Sequence, residues 1–293
     1  MTLRKNLSGE ALHRRISKTF SEIPDHRTKS KSISIPLKDA LMSGFAVFAL
    51  KFPSLLQFDD QRRSRGENLK AIFGIQSPPS DTQMREIIDE VNPETIRPTF
   101  KQVLFEVQRG KGLEDFVFYQ GHYLIAGDGT GHFSSDSVHC EDCLVKESKS
   151  GKVCYQHQML AAAIVHPDQK IVLPFCPEPI KKQDGNTKND CERNAGKRFL
   201  EKFREDHPKL KAIFVEDALS GNAPRIEDLN EAGVRFILGA KPGSNKYLFE
   251  QVERLDKQGR MNRFESQEII GQKIKKTVTH QFRYLNGLRL NAA

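Results

Sequence analysis

The sequence has no tryptophan and only five cysteines in 293 residues. An odd, sparse set of thiols (Cys140, Cys143, Cys154, Cys176 and Cys191) does not make a disulfide scaffold and points to a reducing compartment. An apolar leader is also missing: Met1 to Phe20 is polar and basic, which argues against secretion. No apolar run is long enough to span a bilayer. The best one, Ala40 to Leu56, is broken by Lys51 and Pro53 and reads as a buried core helix. A cytoplasmic protein with no membrane partner is expected.

What the chain has in excess is positive charge. Lys and Arg number 46 against 38 Asp and Glu, a net charge of +8. Such a balance suits a polyanion, because each neutralised phosphate releases condensed counterions. A basic but ordinary soluble protein has the same balance, so charge alone leaves nucleic-acid binding open. The length serves one large domain or two ordinary ones.

The first 110 residues read as helical, without a strand pattern. Ile35-Pro36-Leu37 opens a helix through Leu50, with Asp39 in its first turn, where a carboxylate meets the helix dipole. Ser54 to Phe58 starts another, and Asn68 to Phe73 continues the pattern. Ser80 or Asp81 can cap a helix through Val91, with Met84, Ile87, Ile88 and Val91 on one face. Pro93 begins a helix to about Gln108. The first 30 residues are expected to be mobile.

After Gly110-Lys111-Gly112 the pattern becomes strand-like. Strands are expected at 121–130, 155–165, 170–173, 211–217 and 234–238. Helices are expected at 190–206, with Ala195, Phe199, Leu200 and Phe203 on the apolar face, and from Pro224 to Ala232. The order β, β, β, α, β, α, β argues for a mixed α/β sheet. Residues 263–290 read as β-rich. The expected organisation is a helical region at 1–115, an α/β core at 116–262 and a β-rich segment at 263–293.

Two acids stand out in the α/β part. Asp128 and Asp217 each follow an apolar strand at its carboxyl end, the end where open α/β sheets bind ligands. On neighbouring strands their carboxylates repel unless a cation holds them. Hard oxygen ligands of this kind suit Mg²⁺ or Mn²⁺. Each Asp alone could equally cap a turn. Gly127 and Gly129 would admit a substrate backbone.

Cys140-x-x-Cys143 followed by Cys154-x-x-His157 has the ligand types and spacing of a tetrahedral Zn²⁺ site. Cys154 and His157 are an odd number of residues apart, so in a regular strand they face opposite sides. A site of Cys140, Cys143 and His157, completed by Cys191 or His132, is the alternative, and reduced loop thiols are the third reading. Two basic clusters, Arg62-Arg63-Ser64-Arg65 and Lys181-Lys182, could contact DNA phosphates or simply form solvated faces. Glu178, Asp184 and Glu192 could reach metal or DNA-binding residues near Asp128, or cap turns.

Long motifs carry a family resemblance. These are Tyr123 to Ser135 (YLIAGDGTGHFSS), His139 to Cys143 (HCEDC), Tyr155 to Gln158 (YQHQ), Pro177 to Ile180, Gln183-Asp184-Gly185, Lys188 to Ala195 (KNDCERNA) and Val215 to Leu219 (VEDAL). Asp39 to Gly44 and Ser80 to Arg85 match as well. Over nearly the whole chain from about Asp25, the sequence resembles bacterial insertion-sequence transposases of the DDE type, whose catalytic core is ribonuclease H-like. The resemblance implies a five-stranded mixed sheet with flanking helices, with residues 263–290 as the start of a β-rich insertion. It makes Asp128 the first and Asp217 the second catalytic acid, both binding Mg²⁺ or Mn²⁺. The implied partner is double-stranded DNA, at terminal inverted repeats and target, bound at the nucleoid by a homodimer. The family's third acid is a Glu on a later helix within an Arg- and Lys-containing signature. This sequence has no such signature, so the implied third acid is expected beyond Ala293 and the chain is expected to be a truncated copy that need not be active. A DNA-binding regulator of a full-length transposase, or a nuclease with the same core, would share these features.

Overall fold

A computed structural model describes residues 7–27, 34–182, 191–270 and 276–292. The chain divides into two compact units, Met1–Ile125 with Ala161–Glu178 and Ala126–Leu160 with Pro179–Ala293. The motif at Gln183-Asp184-Gly185, the residues Lys188 to Asp190 and residues 271–275 of the segment read as β-rich lie outside the described residues.

The first unit is built on helices α1 (Gly9–Ser21), α2 (Leu37–Ala49), α3 (Leu55–Arg62), α4 (Gly66–Phe73), α5 (Asp81–Ile88) and α6 (Arg97–Arg109). Their starts follow local chemistry. Pro36 precedes α2. The Ser54 hydroxyl accepts from the Gln57 amide in α3. Ser80 and Gln83 form a reciprocal capping box on α5, which satisfies two amides that the helix cannot. Gly74 ends α4 with a left-handed φ of 69°, a conformation that costs glycine little. Helix α2 is apolar nearly all round, and Leu41, Met42, Ala46 and Val47 pack with Phe20, Phe58, Leu69, Phe73, Met84 and Ile87 in one core. Asp39 does more than face the helix dipole. It is buried, and its Oδ2 accepts from the amides of Gln76 at 2.9 Å and Ser77 at 2.8 Å, which ties the loop after α4 to α2.

Several expectations change here. Residues 9–21 are a packed helix rather than a mobile tail: Phe20 joins the core, Ser8 caps the start and Arg15 pairs with the buried Glu106. Helix α5 stops at Ile88. The segment expected as one helix from Pro93 is a 3-10 turn, Pro93–Ile96, followed by α6. In the same unit, β1 (Val117–Tyr119) pairs antiparallel with the start of β2 (His122–Ser135). The strand expected at 170–173 shrinks to a two-residue strand at Leu173–Pro174, and Ile171 and Val172 are exposed. In the numbering used here this is β5, and it pairs with Ala163 and Ile164 of β4 (Val153–Val165).

The second unit is built on a mixed sheet. Its path is β3 (Leu144–Glu147), β4, β2, β7 (Ala212–Glu216), β8 (Arg235–Leu238), with the short β6 (Glu178–Ile180) beside β4. Strands β3 and β4 are antiparallel and β7 and β8 parallel. Helix α7 (Glu192–Asp206) precedes β7, and α8 (Ala223–Glu231) connects β7 to β8, the crossover that parallel neighbours require. The apolar face read for α7 is the buried one: Ala195, Phe199, Leu200 and Phe203. Phe214 of β7 meets Phe203 at 5.4 Å and Phe199 at 6.3 Å, both edge-on. Helix α9 (Lys246–Lys257) has no counterpart in the sequence reading. The β-rich end is an antiparallel hairpin, β9 (Asn262–Ile270) with β10 (Lys276–Tyr284). Among the described residues, no helix is long and apolar enough to cross a membrane.

Candidate active site and metal centre

Asp217 sits immediately after β7, where the sequence reading put it. Its Oδ1 accepts from the Leu219 amide at 2.9 Å, and its carbonyl accepts from the Ser220 amide. These bonds fold the chain into a tight turn that presents the carboxylate. The turn is held from behind. A Cβ at Gly239, just past β8, would stand 2.8 Å from the Ala218 nitrogen and 3.1 Å from the Asp217 carbonyl carbon. Only a bare backbone fits so close.

Asp128 differs from expectation. Strand β2 does not end on it but continues to Ser135. From Asp128 on, the strand is mostly small or polar, Phe133 excepted, and mostly exposed, so the apolar run stops while the strand goes on. The Asp128 carboxylate accepts from the Gly129 amide at 2.9 Å.

The residue that completes the cluster is Glu192, the first residue of α7. The fold explains its position. A helix packed on the strand that follows it runs opposite to that strand, so the start of α7 lies level with the end of β7. The Phe199, Phe203 and Phe214 contacts fix that packing. Asp128, Glu192 and Asp217 line one small cavity of about 40 Å³, together with Gly127, Gly129 and Ser220. That is room for a few waters or ions rather than an organic molecule. Partial burial, then the charges of Asp128 and of Asp217, raise the Glu192 carboxyl above its ordinary range, with Lys146 opposing. Three carboxylates converge from β2, α7 and the end of β7, and two of them are exposed to solvent. This is an arrangement that a multivalent cation would relieve.

Below the cluster, Glu216 and Arg225 form a buried two-pronged pair. Arg225 Nε donates to Oε2 at 2.9 Å and a second guanidinium nitrogen reaches Oε1. The guanidinium also lies against α7, where a Cβ at Gly196 would stand 3.3 Å from its third nitrogen. This pair joins β7, α8 and α7 directly under the acids.

A second group of chemical side chains lies along β3 and β4. Their register pairs Leu144 with Gln156, which places residue 143 opposite 157. Cys140, Cys143 and His157 come together, with Cys143 buried. Cys154 points away, with its Sγ 3.2 Å from Ser134 Oγ, so the set containing Cys154 is not formed. The rings of His132 and His157 stack with centroids 5.8 Å apart.

The basic candidates separate into two kinds. Arg62 is tied to Asp59 and donates to the Pro78 carbonyl at 3.0 Å. Arg63 and Arg65 are exposed, with Arg65 over the Phe52 ring at 5.5 Å. Lys181 lies 3.3 Å from Asp142, and Lys182 is half-buried. The buried Glu178 belongs to β6. A much larger cavity, about 790 Å³, lies among the helices of the first unit and is lined almost wholly by apolar side chains. It holds no convergent set of titratable groups.

No family model matches the sequence, and neither does any curated protein. Among solved structures, a cryo-EM structure of the piggyBac transposase synaptic complex with hairpin DNA is similar, with a TM-score of 0.36 and 14% identity. The match covers 80% of this chain and 49% of that one, so the chain spans about half of that transposase. At that distance no residue role transfers.

Proposed function

We propose that this chain carries a divalent-metal centre for cutting and joining DNA, as in DDE-type insertion-sequence transposases with a ribonuclease H-like core. The observation that carries the reading is the convergence of Asp128, Glu192 and Asp217 on one ion-sized cavity. The net charge of +8 and the long motifs around these acids support it. In this reading the third carboxylate is Glu192, on the helix before β7, and not a residue on a helix further along the chain.

The three carboxylates would hold Mg²⁺ or Mn²⁺, which suit hard oxygen ligands. When bound, such ions activate water and stabilise the leaving oxygen of a phosphodiester. The residues do the rest. The turn at Asp217 and the strand at Asp128 keep two ligands in register on neighbouring strands. The Glu216–Arg225 pair holds α7 and β7 together, and with them Glu192. Exposed Arg63, Arg65 and Lys181 and the half-buried Lys182 serve as contacts to the DNA backbone, positioning without reading sequence. Hydrolysis at an element end frees a 3′ hydroxyl, which then attacks a target phosphodiester. No covalent enzyme intermediate is needed, and catalysis rests on positioning and electrostatics. Joining two ends calls for two active sites, hence a homodimer on double-stranded DNA.

The test is Mn²⁺-dependent nicking and joining of double-stranded DNA by the full chain. Nicking lost in Asp128→Asn, Asp217→Asn and Glu192→Gln, with DNA binding retained, supports the reading. Nicking at the parental rate in any of the three contradicts the assignment. Nicking without a strand-transfer product would instead indicate a nuclease.

A further inference from the structure

We infer that Cys140, Cys143 and His157 form a structural Zn²⁺ site that clasps the loop after β2 to strand β4. The argument is geometric and independent of the acid cluster. Cys140 Sγ and Cys143 Sγ are 3.8 Å apart, and each lies 3.3 Å from His157 Nε2. Two sulfurs each about 2.3 Å from a tetrahedral zinc stand about 3.8 Å apart, and sulfur and nitrogen stand about 3.6 Å apart. The three atoms therefore already define one face of a zinc tetrahedron.

The local backbone is shaped for this. Cys140 and Cys143 bracket a tight turn, closed by the Cys143 amide on the Cys140 carbonyl at 3.3 Å. The Cys140 amide donates to Cys143 Sγ at 3.3 Å, which fixes that sulfur within the turn. The β3–β4 register then delivers His157 across from Cys143. Nothing in apolar packing asks an imidazole nitrogen to approach two sulfurs at once. The thiols are also free rather than joined in a disulfide. For the fourth position, His132 is a neighbouring imidazole, stacked on His157. Binding is expected to release the thiol protons. The clasp secures the far end of β2, the strand that carries Asp128.

The experiment uses the full chain purified without chelator. Metal analysis is expected to find about one zinc per chain, kept in Cys154→Ser and lost in Cys143→Ser and His157→Ala. Zinc below about a tenth of an equivalent, with none taken up on adding Zn²⁺, overturns the proposal, as does full zinc in His157→Ala. Because Cys143→Ser could unfold, a second measurement uses the unaltered chain. Alkylation of the exposed Cys140 and Cys191 is followed by mass spectrometry, before and after chelation. The proposal expects Cys140 to be protected until chelator is added, while Cys191 reacts throughout. Equal, chelator-independent reaction of both overturns it.

Discussion

The carboxylate of Glu192 occupies the space that a side chain on Gly129 would need: a Cβ built on Gly129 overlaps Glu192 directly. The two residues are far apart in sequence, on β2 and α7. Glycine at 129 is required so that the acid of the helix can reach the acid of the strand. The clash involves the flexible end of Glu192, so Gly129→Ala should turn the carboxylate out of the cavity and leave the fold intact. Unchanged circular dichroism with Mn²⁺-dependent nicking reduced roughly a hundredfold or more is expected. Nicking at the parental rate would mean that Glu192 is not needed at that position.

Glu192 also gives a pH dependence. Its carboxyl is raised by burial and by Asp128 and Asp217, so the folded chain holds this proton more tightly than the unfolded chain. The resulting stability is present below the ordinary carboxyl pKa and is lost as pH rises through the raised value. Without divalent ions, Glu192→Gln should therefore melt higher than the parent at neutral pH, and the gap should close in acid. Adding Mn²⁺ should raise the melting temperature of the parent more than that of the variant. A variant that melts lower than the parent in chelator would contradict this electrostatic picture.

The Arg225–Glu216 pair is nearly inaccessible, with side-chain exposures of 7% and 8%. Removing one partner strands a buried charge, at a cost of roughly 3–5 kcal/mol. Urea denaturation of Arg225→Met should show a loss of that order. The double variant Arg225→Met with Glu216→Leu should recover part of it. If the double variant loses as much as the sum of the single variants, the pair is not coupled.

Binding to DNA should respond to the exposed arginines and not to the tethered one. Arg63→Ala and Arg65→Ala should each lower the slope of log affinity against log salt by roughly one. Arg62, held by Asp59 and the Pro78 carbonyl, should change stability more than the salt slope. Equal salt slopes for all three variants and the parent would remove this helical segment from the DNA interface.

Much of this could be read before any coordinates. Periodicity and capping residues located α2, α5 and α7, because Pro36, Ser80 and the Phe199–Phe203 spacing act within a turn or two of themselves. The odd offset between Cys154 and His157 separated them correctly. Helix α1 was missed because its stability comes from partners far along the chain, such as Glu106 for Arg15 and Thr99 for Thr19. The end of β2 was misjudged because backbone pairing with β4 continues where side chains turn polar. Glu192 reads in the sequence as one acid among several, although a signal is there. An amphipathic helix followed directly by a buried strand that leads into Asp217 must bring the start of that helix beside the Asp. The Gly129 contact, by contrast, depends on sheet order, which no local pattern encodes.

The central claim is that Asp128, Glu192 and Asp217 together hold a divalent cation. Calorimetric titration of the full chain with Mn²⁺, run beside Asp128→Asn, Asp217→Asn and Glu192→Gln, tests it most directly. The account predicts saturable binding by the parent, weakened about tenfold or more in every single variant, as expected when a ligand is lost from a shared site. Equal affinity in the parent and all three variants, or no binding by the folded parent, would contradict it.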